Sequence, residues 1–197
     1  MRLSALRSVF AAIALGLLVA SCGYNTIPTL EEQAKAQWSE VQNQYQRRND
    51  LINNLVETVK GAANFEKGTL EAVVNARAKA TSIQITPGDL SDPAKVKQFQ
   101  DAQNQLSGAL GRLIAVSENY PDLKANQNFL ALQSQIEGTE NRIAVARRDY
   151  IASVQQFNTS LRTFPTVLWA KTFFAGTKAM AEFTADEGAS KPPQVKF

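Results

Sequence analysis

The sequence AKAQWSEVQNQYQRRNDLINNLVETVKG, residues 34–61, places apolar residues at alternating steps of four and three. A repeat of this kind is typical of long helices that pack lengthwise at a shallow angle. Arg48 interrupts the apolar stripe at a position that should face a neighbouring helix. The complete stripe comprises Ala34, Trp38, Val41, Tyr45, Arg48, Ile52, Leu55, Val59 and Ala62. The stretch therefore predicts a helix bundle with one charged residue in its interior.

The first helix is predicted to begin at Thr29, which follows Pro28 and opens a Ser/Thr-x-x-Glu capping box. At its other end the apolar pattern continues as far as Ala80. Gly61 and Gly68 lie within that continuation, and each lowers helix propensity by up to about 1 kcal/mol relative to alanine. The pattern is compatible with one continuous helix or with two helices separated at these glycines.

Two later stretches show the same apolar pattern. Residues 83–91 are predicted to connect the helices, because Pro87-Gly88 is a turn dipeptide and Asp92-Pro93 supplies a cap followed by proline at the first helical position. The stripe of the next helix is Val96, Phe99, Gln103, Leu106, Leu110 and Leu113. The stripe of the last long helix is Phe129, Leu132, Ile136, Thr139, Ile143, Ala146, Tyr150, Val154, Phe157, Leu161 and Phe164, and Pro165 is expected to end it. Gly108 and Gly111 either allow another backbone to approach closely or simply weaken their helix.

These stripes predict an all-α fold, an elongated antiparallel bundle of three to four long helices over residues 29–183. The last long helix would run for roughly 54 Å at about 1.5 Å per residue, which is too long for a compact globule. After Pro165, the aromatic residues of TVLWAKTFFAGTKAMAEF form either a short helix and tail that cap the bundle or a segment that touches lipid. Residues 184–197 are expected to be an extended tail.

The N-terminus has the features of a lipoprotein signal peptide, expected to span residues 1–21 and to be removed. Arg2 and Arg7 precede an apolar run over residues 9–19, and small residues then lead to Cys22. Acyl groups on Cys22 would anchor the chain, and residues 22–28 would form a short tether. Gly23 in the second mature position favours the periplasmic face of the outer membrane, if the host has two membranes. The alternative is an uncleaved signal anchor with an unmodified Cys22.

Composition excludes several classes of function. Without Arg2 and Arg7, 19 basic residues face 18 acidic ones, and a net charge of +1 is too small to hold nucleic acid through its phosphates. The chain has no histidine and one cysteine, which removes the usual catalytic bases and metal ligands. We therefore predict no catalytic residue, cofactor or metal site.

Motifs spread over the whole mature chain resemble the LemA family. They are Gly23-Tyr24-Asn25, Arg47-Arg48-Asn49-Asp50-Leu51-Ile52, Asn54-Leu55-Val56, Leu106-Ser107-Gly108-Ala109-Leu110, Tyr120-Pro121-Asp122-Leu123, Glu137-Gly138-Thr139-Glu140-Asn141-Arg142, Arg147-Arg148 with Tyr150, Phe164-Pro165 and Pro192-Pro193. The resemblance implies a membrane-attached antiparallel helical bundle whose biochemical function is not established.

Two arginine doublets and their neighbours are the candidate structural and interaction residues. They are Arg47, Arg48, Asp50, Asn54, Glu137, Glu140, Arg147, Arg148, Asp149 and Tyr150. A buried guanidinium requires a partner, so we expect bidentate contacts between arginine and a carboxylate of Glu137, Glu140 or Asp149 to fix the helix register. The alternative is that both doublets lie on solvated surfaces.

Three functions are compatible with these features. The preferred one is a non-catalytic interaction or scaffold module for an unidentified envelope protein, attached to the membrane through Cys22. A second is an envelope hydrolase that uses paired carboxylates such as Glu137 and Glu140. A third is a carrier of lipid or small molecules between helices, which the apolar stripes disfavour because they suffice to fill the interior.

Overall fold

The computed structural model describes residues 23–61 and 65–184. Four helices form the bundle: α1 (Thr26–Lys60), α2 (Lys67–Ser82), α3 (Pro93–Ser117) and α5 (Gln127–Ser160). A 3-10 helix (Pro87–Ser91), the short α4 (Pro121–Lys124) and α6 (Thr166–Thr172) lie between or after them. No β-strand occurs in the described part of the chain. The predicted all-α bundle is confirmed, and α1, with 35 residues, is about 52 Å long.

The helices alternate in direction. Trp38 lies against Tyr150, with ring centroids 5.3 Å apart, and Arg48 lies against Glu140, so α1 and α5 run antiparallel. The hairpin of α2 and α3 is also antiparallel, because Lys79 donates to Gln105 and Gln103 donates to Ala80. No helix of the described residues is both long enough and apolar enough to cross a membrane.

The start of α1 differs from the prediction. The helix begins at Thr26, and the backbone N–H of Thr29 already donates to the carbonyl of Asn25 at 3.0 Å. Pro28 is therefore the third helical residue, where an N–H would have no acceptor within the helix. The predicted capping box at Thr29 is wrong, and residues 26–28, which were expected to precede the helix, belong to it.

The glycine at position 61 marks the end of α1. The helix stops at Lys60, and α2 starts at Lys67, so the apolar pattern that reaches Ala80 belongs to two helices. Within α2, Val73 and Ala80 are buried and continue the stripe. The backbone carbonyl of Asn49 accepts a hydrogen bond from Arg77 Nε at 3.3 Å, which ties α2 to the middle of α1.

Helix α3 begins as predicted. The Asp92 side chain accepts hydrogen bonds from the backbone of Ala94 and Lys95, and Pro93 occupies the first helical position. All six residues of the predicted stripe are buried. Gly108 and Gly111 are exposed, and no atom would lie within 4 Å of a Cβ added at either, so they do not mark a close approach of helices. They are weak points in helix propensity alone.

Helix α5 ends at Ser160, before the predicted stop at Pro165. The predicted stripe is therefore wrong at Phe164, which lies beyond the helix and is 76% exposed. Thr166 Oγ1 donates to the carbonyls of Ser160 and Thr163, which closes the turn between α5 and α6. The helix ends where these local hydrogen bonds replace the helical ones.

Residues 177–184 form an extended segment that returns along the bundle. We call this the return segment. Asn158 donates to the Met180 carbonyl and accepts from its N–H, both at 2.9 Å, and Gln100 does the same for Thr184 at 2.6 and 3.1 Å. Phe183 is buried against Trp38 and Tyr150. Only α6 lies at the end of the bundle as the capping prediction expected, whereas the return segment is part of the core.

Candidate functional site

A polar layer divides the core of the bundle into two hydrophobic clusters. We define the layer as Arg48, Gln103, Ser107, Thr139 and Glu140. On one side the cluster includes Trp38, Tyr45, Phe99, Ile143 and Tyr150. On the other side it includes Ile52, Leu55, Leu106, Leu113 and Ile136. The layer arises because each of three helices carries a polar residue at the same level of its apolar stripe.

Arg48 is the centre of the layer and is only 1% exposed. Its Nη1 donates to Ser107 Oγ at 2.7 Å and to Glu140 Oε1 at 2.8 Å. Its Nη2 donates to Gln103 Oε1, and Gln103 Nε2 in turn donates to the carbonyl of Ala80 at 3.3 Å. One side chain of α1 is thus connected to α3 and α5 directly and to α2 through Gln103.

The geometry differs from the expected bidentate pair. A single carboxylate oxygen of Glu140 accepts from Nη1 alone, and Ser107 and Gln103 take the other donors. Arg48 Nε is buried and has no hydrogen-bond partner among the described residues. Because an isolated buried cation is very unfavourable, the partners are needed for Arg48 to remain charged inside the bundle. The guanidinium also lies 4.9 Å from the ring centre of Tyr45.

The other candidates of the first arginine doublet lie on the surface. Arg47, Asp50 and Asn54 are exposed, and Asp50 accepts a hydrogen bond from Gln46 on the same helix. The neighbours in sequence thus have different environments, because a step of one residue turns a helix by about 100°.

The second doublet is divided in the same way. Arg148 and Asp149 are exposed, and Arg148 Nε lies 3.5 Å from Asp149 Oδ1. Arg147 is half-buried, and its guanidinium lies 4.7 Å from the ring centre of Phe183. Glu137 is exposed and accepts from Gln133 on its own helix. Of the three predicted carboxylate partners, the structure brings only Glu140 to Arg48.

Tyr150 lies outside the layer and connects α5 to the return segment. Its hydroxyl donates to the carbonyl of Ala181 at 3.0 Å. Burial raises the pKa of Tyr150 well above its ordinary value, and the charge of Glu182 adds to the effect. Burial also raises the pKa of Tyr45, against the opposing influence of Arg147 and Arg48. Both phenols are therefore neutral at physiological pH.

Gln103, Ser107 and Thr139 were not among the candidate residues, although Gln103 and Thr139 belong to the predicted stripes. A polar residue within an apolar stripe can indicate a buried polar contact. Gln103 and Thr139 are such residues, and aligning the helices on Arg48 would place them at its level. Ser107 adjoins its stripe and has no such signal. Gln100 and Asn158 were also missed, because their partners are in a segment distant in sequence.

A groove beside the polar layer contains both of the predicted paired carboxylates. It has a volume of about 460 Å³ and is lined by Ser107, Leu110, Gly111, Ile114, Ile136, Glu137, Glu140 and Asn141. One oxygen of Glu140 is already bonded to Arg48. Within the part of the chain that the structure describes, no three His, Cys, Asp or Glu residues come together in a group that could hold a metal ion. Cys22 lies outside the described residues.

Comparison with known proteins relates most of the chain to one family. The model of the LemA family matches residues 37–197. Magnetosome proteins MamQ 1 and MamQ 2 of Paramagnetospirillum magneticum are each 27% identical over 191 residues, which cover 87% of this chain and 68% of theirs. Protein LemA of Metamycoplasma hominis is 29% identical over 120 residues, covering 61% of this chain and 51% of its own.

Proposed function

The chain belongs to the LemA family, and from this premise we propose that it is a lipid-anchored protein of the bacterial envelope whose bundle acts as a non-catalytic interaction or scaffold module. Its partner would be another envelope protein that binds the long outer faces of the helices. The biochemical function of the family is not established. The proposal therefore rests on how this chain distributes its polar groups.

The observation that supports the scaffold most strongly is the use of the buried charge. Arg48, the most deeply buried cation of the described residues, donates to side chains of α3 and α5 and does not line the groove beside Glu140. Its contacts hold the helices together, which suits a rigid module. The buried charge of Arg48 is thus explained by its contacts between the helices.

The outer faces offer a different chemistry, rich in amides. Exposed amide side chains occur along α1 and α5, and each can both donate and accept hydrogen bonds. They include Gln33, Asn43, Asn53 and Asn54 on α1 and Gln135, Asn141, Gln155 and Gln156 on α5. The exposed apolar residues Val74, Leu130 and Val145 lie among such polar faces. A surface of this kind about 50 Å long suits a polar, adjustable protein contact.

The proposed anchor is close to the bundle. Helix α1 starts at Thr26, so only residues 23–25 separate it from Cys22. Acyl chains on Cys22 would hold the start of α1 near the lipid, on the periplasmic face of the outer membrane in a host with two membranes. Because the arginines of the leader precede its apolar run, the bundle would face away from the cytoplasm.

Site-specific photo-crosslinking in intact membranes tests the scaffold. A photoreactive residue is placed at Asn43, Leu130 or Val145, all of which are exposed, and captured proteins are identified by mass spectrometry. We expect at least one of these three positions to capture the same envelope protein in repeated experiments. Uniform absence of capture would contradict the proposal.

The groove beside Glu140 gives the hydrolase alternative one supporting observation, because Glu137 and Glu140 line it together. Paired carboxylates can serve as acid and base on a polysaccharide. Incubation of the purified protein with cell-wall fragments tests this alternative, with Glu137→Gln as the variant and Glu57→Gln, on the exposed surface of α1, as the control. Turnover that is lost only in Glu137→Gln would replace the scaffold with an enzyme.

A further inference from the structure

Several large apolar side chains are exposed in the two segments that meet at the end of the bundle where α1 begins. Leu168 is 55% exposed, Phe173 67% and Tyr24 43%, and Phe164 precedes them in the turn before α6. The ring centre of Tyr24 lies 5.8 Å from those of both Trp169 and Phe173. We define the end patch as Tyr24, Phe164, Leu168, Trp169 and Phe173. Clustered exposed apolar residues of this size mark a surface that something covers.

Basic residues predominate in the segments that form the end patch, and Glu31 lies beside Lys178 in a neighbouring surface pocket. Residues 23–30 and 160–181 contain no aspartate or glutamate, and they contain three basic residues, Arg162, Lys171 and Lys178. All three basic residues are exposed. Aromatic rings with a polar edge, accompanied by lysine and arginine, suit the boundary between lipid headgroups and acyl chains, particularly where the headgroups are anionic.

The position of the patch in the chain identifies its occupant. Tyr24 is two residues from Cys22 and five from Val19, the last residue of the apolar run. Five residues span at most about 18 Å even when fully extended. Whether the apolar run stays in the membrane or acyl groups on Cys22 replace it, the bilayer that receives them must lie within that distance of the patch.

We propose that the end patch rests on the bilayer surface, with Trp169 and Phe173 at headgroup depth. This inference rests on the membrane attachment in the proposed function and extends it from a tether to a second contact. The two contacts together fix which end of the bundle faces the lipid. The far end, near Gly61 and Tyr120, would then lie at the opposite end of helices about 50 Å long, and the long faces between the ends would remain open to a protein partner.

Tryptophan fluorescence tests the contact, because the chain has two tryptophans with different surroundings. Trp38 is 1% exposed in the core, whereas Trp169 is half-buried and lies beside the rings of Tyr24 and Phe173. The full-length, processed protein is reconstituted in vesicles of phosphatidylcholine and phosphatidylglycerol that contain brominated lipids. We expect loss of most of the Trp169 emission when the bromine atoms are near the headgroup and a smaller loss when they are at the bilayer centre. In Trp169→Phe the remaining emission of Trp38 should be unaffected.

A pair of matched variants separates lipid contact from mere proximity. The double variant Leu168→Asp and Phe173→Asp places carboxylates in the patch, and the control Leu130→Asp and Val145→Asp changes exposed apolar residues of α5. We expect the first variant to lose the quenching while it still floats with the vesicles, and the control to be quenched like the natural protein. Circular dichroism verifies that both remain helical.

The outcomes distinguish this inference from the proposed function. Flotation of the natural protein without quenching of Trp169, or equal quenching in the two double variants, would overturn the end-patch contact alone. Failure to float would overturn the membrane anchor and the end-patch contact together.

Discussion

Arg48 occupies a place in the α1 stripe where a cation is stable only because of its surroundings. Its three side-chain partners come from α3 and α5, so the helices must be in the correct register for the layer to form. A shift of one helical turn would place an apolar residue of the stripe opposite Glu140 and leave the guanidinium unpaired. The two hydrophobic clusters alone would tolerate helices shifted along one another, and the polar layer disfavours such shifted registers.

Replacement of Arg48 by alanine tests the importance of the layer. We expect Arg48→Ala to lower the free energy of unfolding by about 3 kcal/mol, because it removes a buried side chain and leaves its partners without a donor. Urea unfolding followed by circular dichroism measures the change. Arg47→Ala is the control, since Arg47 is exposed, and should alter stability by less than about 0.5 kcal/mol. Equal stabilities of the two variants would show that the layer is dispensable.

The two buried tyrosines make a prediction about alkaline pH. Folding raises the pKa of Tyr45 and Tyr150 above the ordinary value of 10.0, so the unfolded chain loses these protons first. Their contribution to stability is fully present below about pH 10 and falls as pH rises further, by up to about 1.4 kcal/mol per pH unit for each tyrosine. Urea unfolding between pH 8 and pH 11 should show this decline, with a shallower slope in Tyr150→Phe. An unchanged slope would mean that Tyr150 does not titrate differently on folding.

At the level of the helices, the apolar stripes predicted which residues are buried better than they predicted where helices end. The stripes of α1 up to Val59, of α3 and of most of α5 are buried as expected, because the steps of four and three report directly on one helix face. Ala62 lies outside the described residues. The ends at Thr26 and Ser160 were missed because they depend on local hydrogen bonds and on the turn that follows. Arg48 was expected to find a carboxylate, yet only the alignment of three helices selects Glu140 among the three candidates.

The return segment could not be predicted from any local pattern. Its position depends on Gln100 and Asn158, which lie 84 and 22 residues before their partners in the chain. Each side chain both donates to and accepts from the backbone of the segment, much as a neighbouring β-strand would. Residues 177–184 are held by these amides together with Tyr150 and the burial of Phe183.

Loss of one amide should release part of the return segment. We expect Asn158→Ala to leave the N–H and carbonyl of Met180 unpaired and to destabilise the segment by about 1–3 kcal/mol. Hydrogen exchange monitored by mass spectrometry should be faster at residues 178–184 and unchanged in the middle of α1. Gln156→Ala, an exposed change on the same helix, is the control. Similar exchange in both variants would indicate that the other contacts of the segment, among them Tyr150 and the burial of Phe183, are sufficient to hold it.

At the scale of the whole molecule, the polar layer lies inside the bundle and the end patch lies at the end where α1 begins. The layer aligns the helices without using their outer surfaces, and the end patch concentrates exposed aromatic residues near the start of α1. The sides of α1 and α5 carry mainly polar side chains, with Leu130 and Val145 exposed among them. The aromatic residues collect at this end because α1 and α5 run antiparallel, so that residue 23 and the turn after α5 meet there.

Substitution of Cys22 tests the attachment of the whole molecule to the membrane. We expect the natural protein to incorporate labelled palmitate in the cell and to fractionate with membranes, and Cys22→Ser to lose the label and to retain its leader. The reason is that cleavage of a lipoprotein leader follows acylation of the cysteine, so the uncut variant should be larger by residues 1–21. Ser21→Ala, which keeps Cys22 and a small residue before it, is the control and should still be labelled. A Cys22→Ser protein identical in size and fractionation to the natural one would instead favour the uncleaved signal anchor, because the apolar run over residues 9–19 would then hold the chain by itself.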